Sequence, residues 1–248
     1  MRKLWIATVV IVLFATASYA EKKDVTFNAA DGFVLKGTFY SAGKAGPGIL
    51  LLHQCNADRQ IYDHLGTMLS TAGYNVLSFD FRGFGGSKAG EYTDLAKQRD
   101  RIMAAMPGDV DAAFRFLGTQ GLVNPTATGI VAGSCGVNQG IHAAGRHPEV
   151  KALVLLSGGS DADGEAYIKR STQVPILGAA SEEDTDAAAS IKRLVGLSTN
   201  RDSQLEMFKD AGHAASMFEK QPDLEADIVI FFRSNLSIGG YGFKPSIK

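Results

Sequence analysis

The chain has 248 residues, of which 45% are apolar, and a formal net charge of −1 at pH 7. This length and apolar content indicate one well-cored domain of the larger kind. The weak and mixed charge argues against binding to nucleic acid or to an anionic membrane surface, because either would favour a strongly basic chain.

Residues 1–20 have the pattern of a secretory signal peptide. A basic start, Met1-Arg-Lys3, precedes an apolar run at 4–17 and a small-residue end at 18–20. The run is shorter than the about 20 residues that span a membrane. We therefore predict a signal peptide at 1–20, a single mature domain at 21–248, and export to the periplasm or the medium. A retained N-terminal anchor is the alternative, and no other membrane association is expected.

Hydrophobic spacing predicts antiparallel strands first and alternating strands and helices afterwards. Two alternating segments, 24–29 and 33–40, flank an Asp31-Gly32 turn, which is typical of a hairpin. Continuous apolar runs indicate buried strands, and apolar residues three and four apart indicate helices. The further predicted strands are 48–52, 75–80, 129–132, 151–156, 174–179 and 205–208. The predicted helices are 57–73, 92–106, one starting at 109, 135–145 and 223–233.

This order of elements predicts an α/β fold. We expect a mostly parallel central sheet with an N-terminal antiparallel hairpin and helices on both faces. Pro107-Gly108 is expected to end one helix before the next begins at Asp109, because proline breaks helical hydrogen bonding.

A turn of small residues, Ala132-Gly-Ser134-Cys-Gly136, joins the strand at 129–132 to the helix that follows. Strand and helix backbones nearly touch at such a turn, so its apex side chain is pushed out above the carboxyl edge of the sheet. There it meets a helix N-terminus, where N–H groups favour developing negative charge. The pattern resembles the nucleophile elbow of the α/β-hydrolase family, which implies that Ser134 is a nucleophile.

A second frame of the same turn centres on Cys135 and resembles the cysteine elbow of dienelactone hydrolases. It places the β-branched Val137 where strand and helix need a small residue, so we favour Ser134. The resemblance to the family covers residues 24–235. It includes a loop at 80–87, similar to the family's Asp-x-Arg-Gly-x-Gly-x-Ser motif, for which we expect a structural role. The segment 157–173 is too short for the helical cap of many relatives, as in the compact dienelactone-hydrolase-like branch.

The family resemblance also implies the partners of Ser134. In α/β-hydrolases an acid and then a histidine follow the serine along the chain, each in the loop after a later strand. Asp184 follows the strand at 174–179, and His213 ends a Gly-His pair after the strand at 205–208. The resemblance therefore implies a Ser134–Asp184–His213 triad. Glu183 is the alternative acid, and a solvated acidic loop is the alternative to any catalytic role there.

An oxyanion hole is implied by the same resemblance. One N–H would come from Cys135, after the nucleophile, and the other from Cys55, in the loop after the strand at 48–52, with the Gln54 N–H as the alternative. His53-Gln54 stands there in place of the family's usual His-Gly, so the Gln54 side chain is expected at the pocket, beside His53. Two N–H groups that face one oxygen bring their residues close together, so we expect a Cys55–Cys135 disulfide, with two free thiols as the alternative.

The sequence thus predicts an exported serine hydrolase of small ester-like substrates, most specifically a carboxylic-ester hydrolase. The alternatives are a peptidase or amidase with the same triad, and a hydrolase-like binding protein without chemistry. No cofactor is expected. The five histidines show no metal-ligand spacing, so no metal site is predicted. The acyl group, the leaving group and the oligomeric state are not predicted.

Overall fold

The computed structural model describes residues 21–237, which form one eight-stranded sheet and its covering helices. The strands are β1 (Glu21–Asn28), β2 (Val34–Ser41), β3 (Gly46–Leu52), β4 (Asn75–Phe79), β5 (Val123–Gly133), β6 (Val150–Leu156), β7 (Ile176–Ser181) and β8 (Gln204–Phe208). The α-helices are α1 (Asp63–Thr71), α2 (Leu95–Gly118), α3 (Cys135–Arg146), α4 (Ala162–Arg170), α5 (Thr185–Leu197) and α6 (Asp223–Asn235). The predicted signal peptide lies outside the described residues.

The sheet has the order β1-β2-β4-β3-β5-β6-β7-β8. β1 pairs with β2 and β2 with β4 antiparallel, and every other neighbouring pair is parallel. β3 and β4 are buried along their whole length, as expected for central strands covered on both faces. The predicted fold class is therefore confirmed.

Two apolar cores lie on opposite faces of the sheet. On one face, β-strand side chains pack against α2, α3, α4 and α5, through residues such as Val110, Ile141 and Ile191. On the other face, they pack against α1 and α6, through residues such as Leu65 and Phe232. Because helices cover both faces, the sheet is accessible at its edge strands and at the loops that join its strands, which include the loops at the carboxyl ends of the parallel strands. Among residues 21–237, no helix is both long and apolar enough to cross a membrane.

The predicted helix break at Pro107-Gly108 is wrong. α2 continues through both residues, and the only non-helical backbone angles within it are at Gln98. The apolar face of α2 runs on across the proline, from Ile102 and Met106 to Val110, so packing holds the helix together at that point. Proline in a helix interior costs about 3 kcal/mol, which an unbroken buried face can offset.

Two helices, α4 and α5, were not predicted from the sequence. α4 occupies the segment between β6 and β7 and packs against α3 and α5. With nine residues it is the only helix in that connection, so the connection supplies no helical cap of several elements.

The loop after β4 is held by two buried carboxylates. Asp80 accepts hydrogen bonds from the Arg59 and Gly86 backbone N–H groups and from the Arg59 guanidinium. Asp109, from α2, binds the backbone N–H and guanidinium of Arg82, and both side chains are almost fully buried. The loop at 80–87 is therefore held to the segment after β3 through Arg59 and to α2 through Asp109. This agrees with the structural role expected for residues 80–87.

Candidate active site

Ser134 lies at a sharp turn between β5 and α3. Its backbone angles are φ 52° and ψ −118°, which lie in a region that residues other than glycine rarely adopt. A Cβ on Gly136 would stand 2.9 Å from the carbonyl oxygen of Leu52 in β3. The start of α3 therefore lies too close to β3 for any larger residue at this position. The turn aims the half-buried Ser134 side chain outward at the N-terminus of the 12-residue α3.

Ser134, His213 and Asp184 are brought into one chain of hydrogen bonds. The Ser134 Oγ lies 2.8 Å from His213 Nε2, and His213 Nδ1 lies 2.6 Å from Asp184 Oδ2. An ionised Asp184 accepts from the Nδ1–H, which leaves Nε2 unprotonated and free to accept from the Ser134 hydroxyl. Three residues that are up to 79 positions apart along the chain therefore have the arrangement that a nucleophile, a base and an orienting acid would need.

Backbone strain is concentrated around this chain of hydrogen bonds. Four non-glycine residues among positions 21–237 have positive φ: Ser134, Ser157, Asp210 and Ala214. Each follows a parallel strand of the sheet closely, and Asp210 and Ala214 flank the histidine loop. Strain of this kind costs about 1–3 kcal/mol per residue and persists only where the surrounding structure imposes it.

The acid loop after β7 and the histidine loop after β8 are tied together by Ser181 and Glu183. The Ser181 hydroxyl donates to Glu183 Oε2 and accepts from the Ala211 N–H, at 2.8 and 2.9 Å. Glu183 also accepts from the Asp210 N–H at 2.7 Å, and these hydrogen bonds lower its pKa. Glu183, the alternative acid, therefore binds the loop backbone, whereas Asp184 is the carboxylate that meets His213. The predicted strand ended at residue 179, two residues before Ser181, so nothing in the sequence indicated this bridge.

Cys55 and Cys135 face each other across the site. The structure joins them in a disulfide with their Cα atoms 5.8 Å apart, and both residues are half-buried. Within the described part of the chain, neither backbone N–H has a hydrogen-bond acceptor. Two free N–H groups on bridged residues, one of which directly follows Ser134, have the arrangement that an oxyanion hole needs.

The orientation of the Cys55 N–H is fixed by the other side of its peptide bond. The Gln54 carbonyl oxygen accepts from the Ala57 N–H at 3.1 Å and from His53 Nδ1 at 2.8 Å. Because the peptide is planar and trans, the Cys55 N–H must point in the opposite direction from that carbonyl. His53 Nε2 accepts in turn from the Phe81 N–H, and burial lowers the pKa of the ring, which stays neutral.

Gln54 and His53 were expected at the pocket, and the structure instead places both beneath it. The Gln54 side chain is 1% exposed, and its amide bonds to the Ala215 N–H and to Asn56. His53 is fully buried between the rings of Phe81 and Phe84. An amide that meets a free backbone N–H inside the protein is satisfied there, which removes it from the open site.

Two open cavities flank the site. One, of about 330 Å³, begins at Cys55 and is lined by residues of mixed polarity, namely Cys55, Asn56, Ala57, Asp58, Gly83, Phe84, Gly85, Lys88, Thr93 and Leu95. The other, of about 360 Å³, lies behind His213 and Asp184. The first cavity is lined by Cys55, whose N–H is free, and Ser134 is not among its lining residues. Across residues 21–237, no three His, Cys, Asp or Glu side chains are grouped as metal binding would require.

Similarity to proteins of known structure agrees with this fold. The esterase Pf2001 of Pyrococcus furiosus has a TM-score of 0.65 and 17% identity, and the match covers 93% of this chain and 99% of that one. The dienelactone hydrolase of Anabaena variabilis has a TM-score of 0.73 and 17% identity, and covers 88% and 99% of the two chains. At these identities the likeness is one of fold.

Sequence comparison also finds a hydrolase, and its matches cover only part of the chain. A thiohydrolase of Arthrinium phaeospermum is 31% identical over 135 residues, which are 53% of this chain and 41% of that protein. The chain thus spans less than half the length of the curated relatives it matches. A family model described as alpha/beta hydrolase fold matches residues 47–178, just over half of the chain. This match confirms the resemblance read from the elbow at Ser134: the chain belongs to the alpha/beta hydrolase family.

Proposed function

We propose that this chain is a serine hydrolase that cleaves carboxylic esters through an acyl-enzyme. One observation carries the proposal: His213 lies within hydrogen-bond distance of both Ser134 Oγ and Asp184 Oδ2, at 2.8 and 2.6 Å. A serine hydroxyl needs a base to take its proton and a third group to orient that base, and this arrangement provides both.

The mechanism follows from the roles of these atoms. Ser134 Oγ attacks the acyl carbon while His213 Nε2 takes the hydroxyl proton, and the carbonyl oxygen becomes an oxyanion held by the Cys55 and Cys135 N–H groups. His213 returns the proton to the leaving alkoxide, which departs as an alcohol and leaves an acyl-serine. Water, deprotonated by His213, then attacks the acyl-serine. The bond to Ser134 Oγ breaks, His213 returns the proton to that oxygen, and the acid is released. Asp184 stays ionised throughout and stabilises the imidazolium.

Ester cleavage is favoured over amide cleavage by the openness of the site. The His213 side chain is 40% exposed and that of Asp184 26%, and the connection between β6 and β7 provides only the short α4. An ester has a good leaving group and does not depend on a dry site, whereas harder chemistry gains from excluding water. A thioester is the nearest variant, because the thiohydrolase relative carries that activity in its name.

We also propose that the protein is exported with residues 1–20 removed. The basic, apolar and small-residue segments of the N-terminus support this, as does a disulfide between the two cysteines of the chain. N-terminal sequencing of the protein recovered from a host that expresses the full chain tests it. A first residue at or near 21 is the expected result, and an intact N-terminus would contradict cleavage.

Two experiments test the catalytic proposal. One is labelling with a fluorophosphonate, and the other, on unlabelled protein, is the hydrolysis of p-nitrophenyl esters, thioesters and anilides of matched acyl groups. We expect one label per chain, at Ser134, and turnover in the order ester and thioester above anilide. Ser134→Ala should lose the label and lower kcat by about 10⁴-fold, because only binding and the oxyanion hole remain. A folded wild type that takes no label would favour a binding protein instead, and anilide turnover equal to ester turnover would favour an amidase.

A further inference from the structure

The Gln54 side chain lies among three of the segments that build the site. It belongs to the loop after β3, next to Cys55. Its Oε1 accepts from the Ala215 N–H at 3.0 Å, two residues beyond His213. Its Cβ lies 3.9 Å from the point that a Cβ on Gly133 would occupy, directly beneath the residue that precedes Ser134.

These contacts are buried, so water cannot replace them. Gln54 is 1% exposed, Ala215 3% and Ala214 fully buried. The second half of the amide, Nε2, donates to Asn56 Oδ1 at 2.8 Å, which holds the side chain in one orientation. A buried N–H without an acceptor costs about 1–3 kcal/mol, so the Ala215 backbone is held to Gln54 rather than free to shift.

We propose that Gln54 is a positioning residue for the hydrolytic reaction, whose side-chain oxygen holds the His213 loop in register with the loop that supplies the Cys55 N–H. The inference rests on the proposed function. Gln54 itself touches no substrate. It fixes the distance between the base, His213, and one oxyanion donor, the Cys55 N–H. The two residues that make the contact, Gln54 and Ala215, are 161 positions apart along the chain. Small errors in such distances lower the rate of the chemical step while leaving substrate binding nearly intact.

The first test compares Gln54→Met, which keeps length and volume but loses the acceptor, with Gln54→Glu, which keeps an acceptor oxygen. For each protein, fluorophosphonate titration gives the concentration of active sites, and p-nitrophenyl acetate gives kcat per site and KM. We expect Gln54→Met to lower kcat per site by about ten- to a hundredfold, below the 10²–10³-fold loss of a whole oxyanion donor. KM should stay within about threefold, and Gln54→Glu should retain most of kcat.

Asn75 offers a matched control for a purely structural amide. It is fully buried, accepts from the Ala42 N–H at 3.1 Å and donates to the Leu122 carbonyl at 2.9 Å, far from the carboxyl edge that carries the site. Asn75→Leu should lower the melting temperature and leave kcat per active site unchanged. If Gln54→Met gives no folded protein, Gln54→Ala is measured in the same way with the same expected loss.

Two results would overturn the inference while the wild type is active. One is a Gln54→Met enzyme with wild-type kcat per titrated site, and the other is an equal loss of kcat per site in Asn75→Leu. A wild type that neither labels nor hydrolyses any ester is a different result, since it overturns the proposed function and this inference with it.

Discussion

Asp184 and Glu183 show how one residue along the chain separates two roles. Both are acids in the same loop, yet Asp184 reaches His213 whereas Glu183 turns to Ser181 and the Asp210 N–H. Chain order and strand ends led to the prediction of Ser134, His213 and Asp184, with Glu183 as the alternative acid. The choice between the two acids depends on where α5 begins, at Thr185, and that helix was not predicted.

Replacement of the two acids should therefore have different effects on catalysis. Asp184→Asn keeps the shape of the side chain but favours the wrong tautomer of His213, so we expect kcat to fall by about 10⁴-fold. Glu183→Gln changes only a loop contact and should lower kcat by less than about tenfold, a bound we set from the loss of one hydrogen bond. Steady-state kinetics on one ester, per titrated site, checks both. A larger loss in Glu183→Gln would identify Glu183 as the acid.

Gln54 could not have been understood from the sequence. A glutamine in place of glycine reads as a side chain aimed at the pocket, because nothing in the local sequence shows an unpaired N–H at Ala215. Contacts between residues so far apart depend on the assembled sheet. The same holds for Arg82 and Asp109, whose pairing joins the loop after β4 to α2.

Among the elements, α2 differs most from what its sequence predicted. Proline and glycine side by side normally end a helix, but tertiary packing outweighs local propensity when the apolar face continues without a break. α5 shows the opposite error. Its buried Ala188, Ile191 and Leu194 have helical spacing, but the acidic residues at the start of the segment favoured the prediction of a loop. α4 buries only Gly164 and Ile168 and gives little pattern to recognise.

The continuity of α2 predicts that Gly108→Ala will stabilise the protein. Gly108 lies inside the helix, and a Cβ there would meet no atom within 4 Å. Alanine should raise the free energy of unfolding by about 0.5–1 kcal/mol, because glycine loses more backbone entropy in a helix. Urea unfolding measures the change.

Gly66 in α1 is the matched control for this substitution. A Cβ on Gly66 would stand 2.8 Å from the ring of the buried Tyr40, so Gly66→Ala should destabilise the protein by about 1–3 kcal/mol through overpacking. A helix that really ended at residue 107 would give no gain in Gly108→Ala, and that result would contradict the continuous α2.

At the scale of the whole molecule, the disulfide closes a long loop. Cys55 and Cys135 are 80 residues apart, and the loop between them contains α1, β4, α2 and β5. A bond across such a loop reduces the number of conformations open to the unfolded chain. Removal of a native disulfide therefore lowers the free energy of unfolding by about 2–5 kcal/mol. We expect this loss in Cys55→Ser/Cys135→Ser by urea unfolding, and wild type kept in reductant should show it too. Equal stability of the variant and the oxidised wild type would count against the bond.

The buried His53 makes stability depend on pH. Burial lowers the pKa of its ring below the ordinary histidine value of about 6.5, so the unfolded state binds a proton more readily than the folded state. This contribution is fully present above about pH 6.5 and is lost as the pH falls toward the folded pKa. Wild type should therefore lose more stability than His53→Gln between pH 7.5 and 5.5, as measured by urea midpoints. Parallel pH profiles of the two proteins would contradict the role of His53.

The position of the disulfide has a consequence for the geometry of the sheet. From β3, the chain moves to β4 on one side and later to β5 on the other, so the loops that leave the carboxyl ends of β3 and β5 diverge. In open α/β sheets such a topological switch point leaves a crevice between neighbouring strands, where ligands bind. Cys55 follows β3 and Cys135 follows β5, so the bridge crosses this crevice at its mouth. A gap that topology alone would leave free to widen is thereby given a fixed width at the place where a substrate carbonyl would enter.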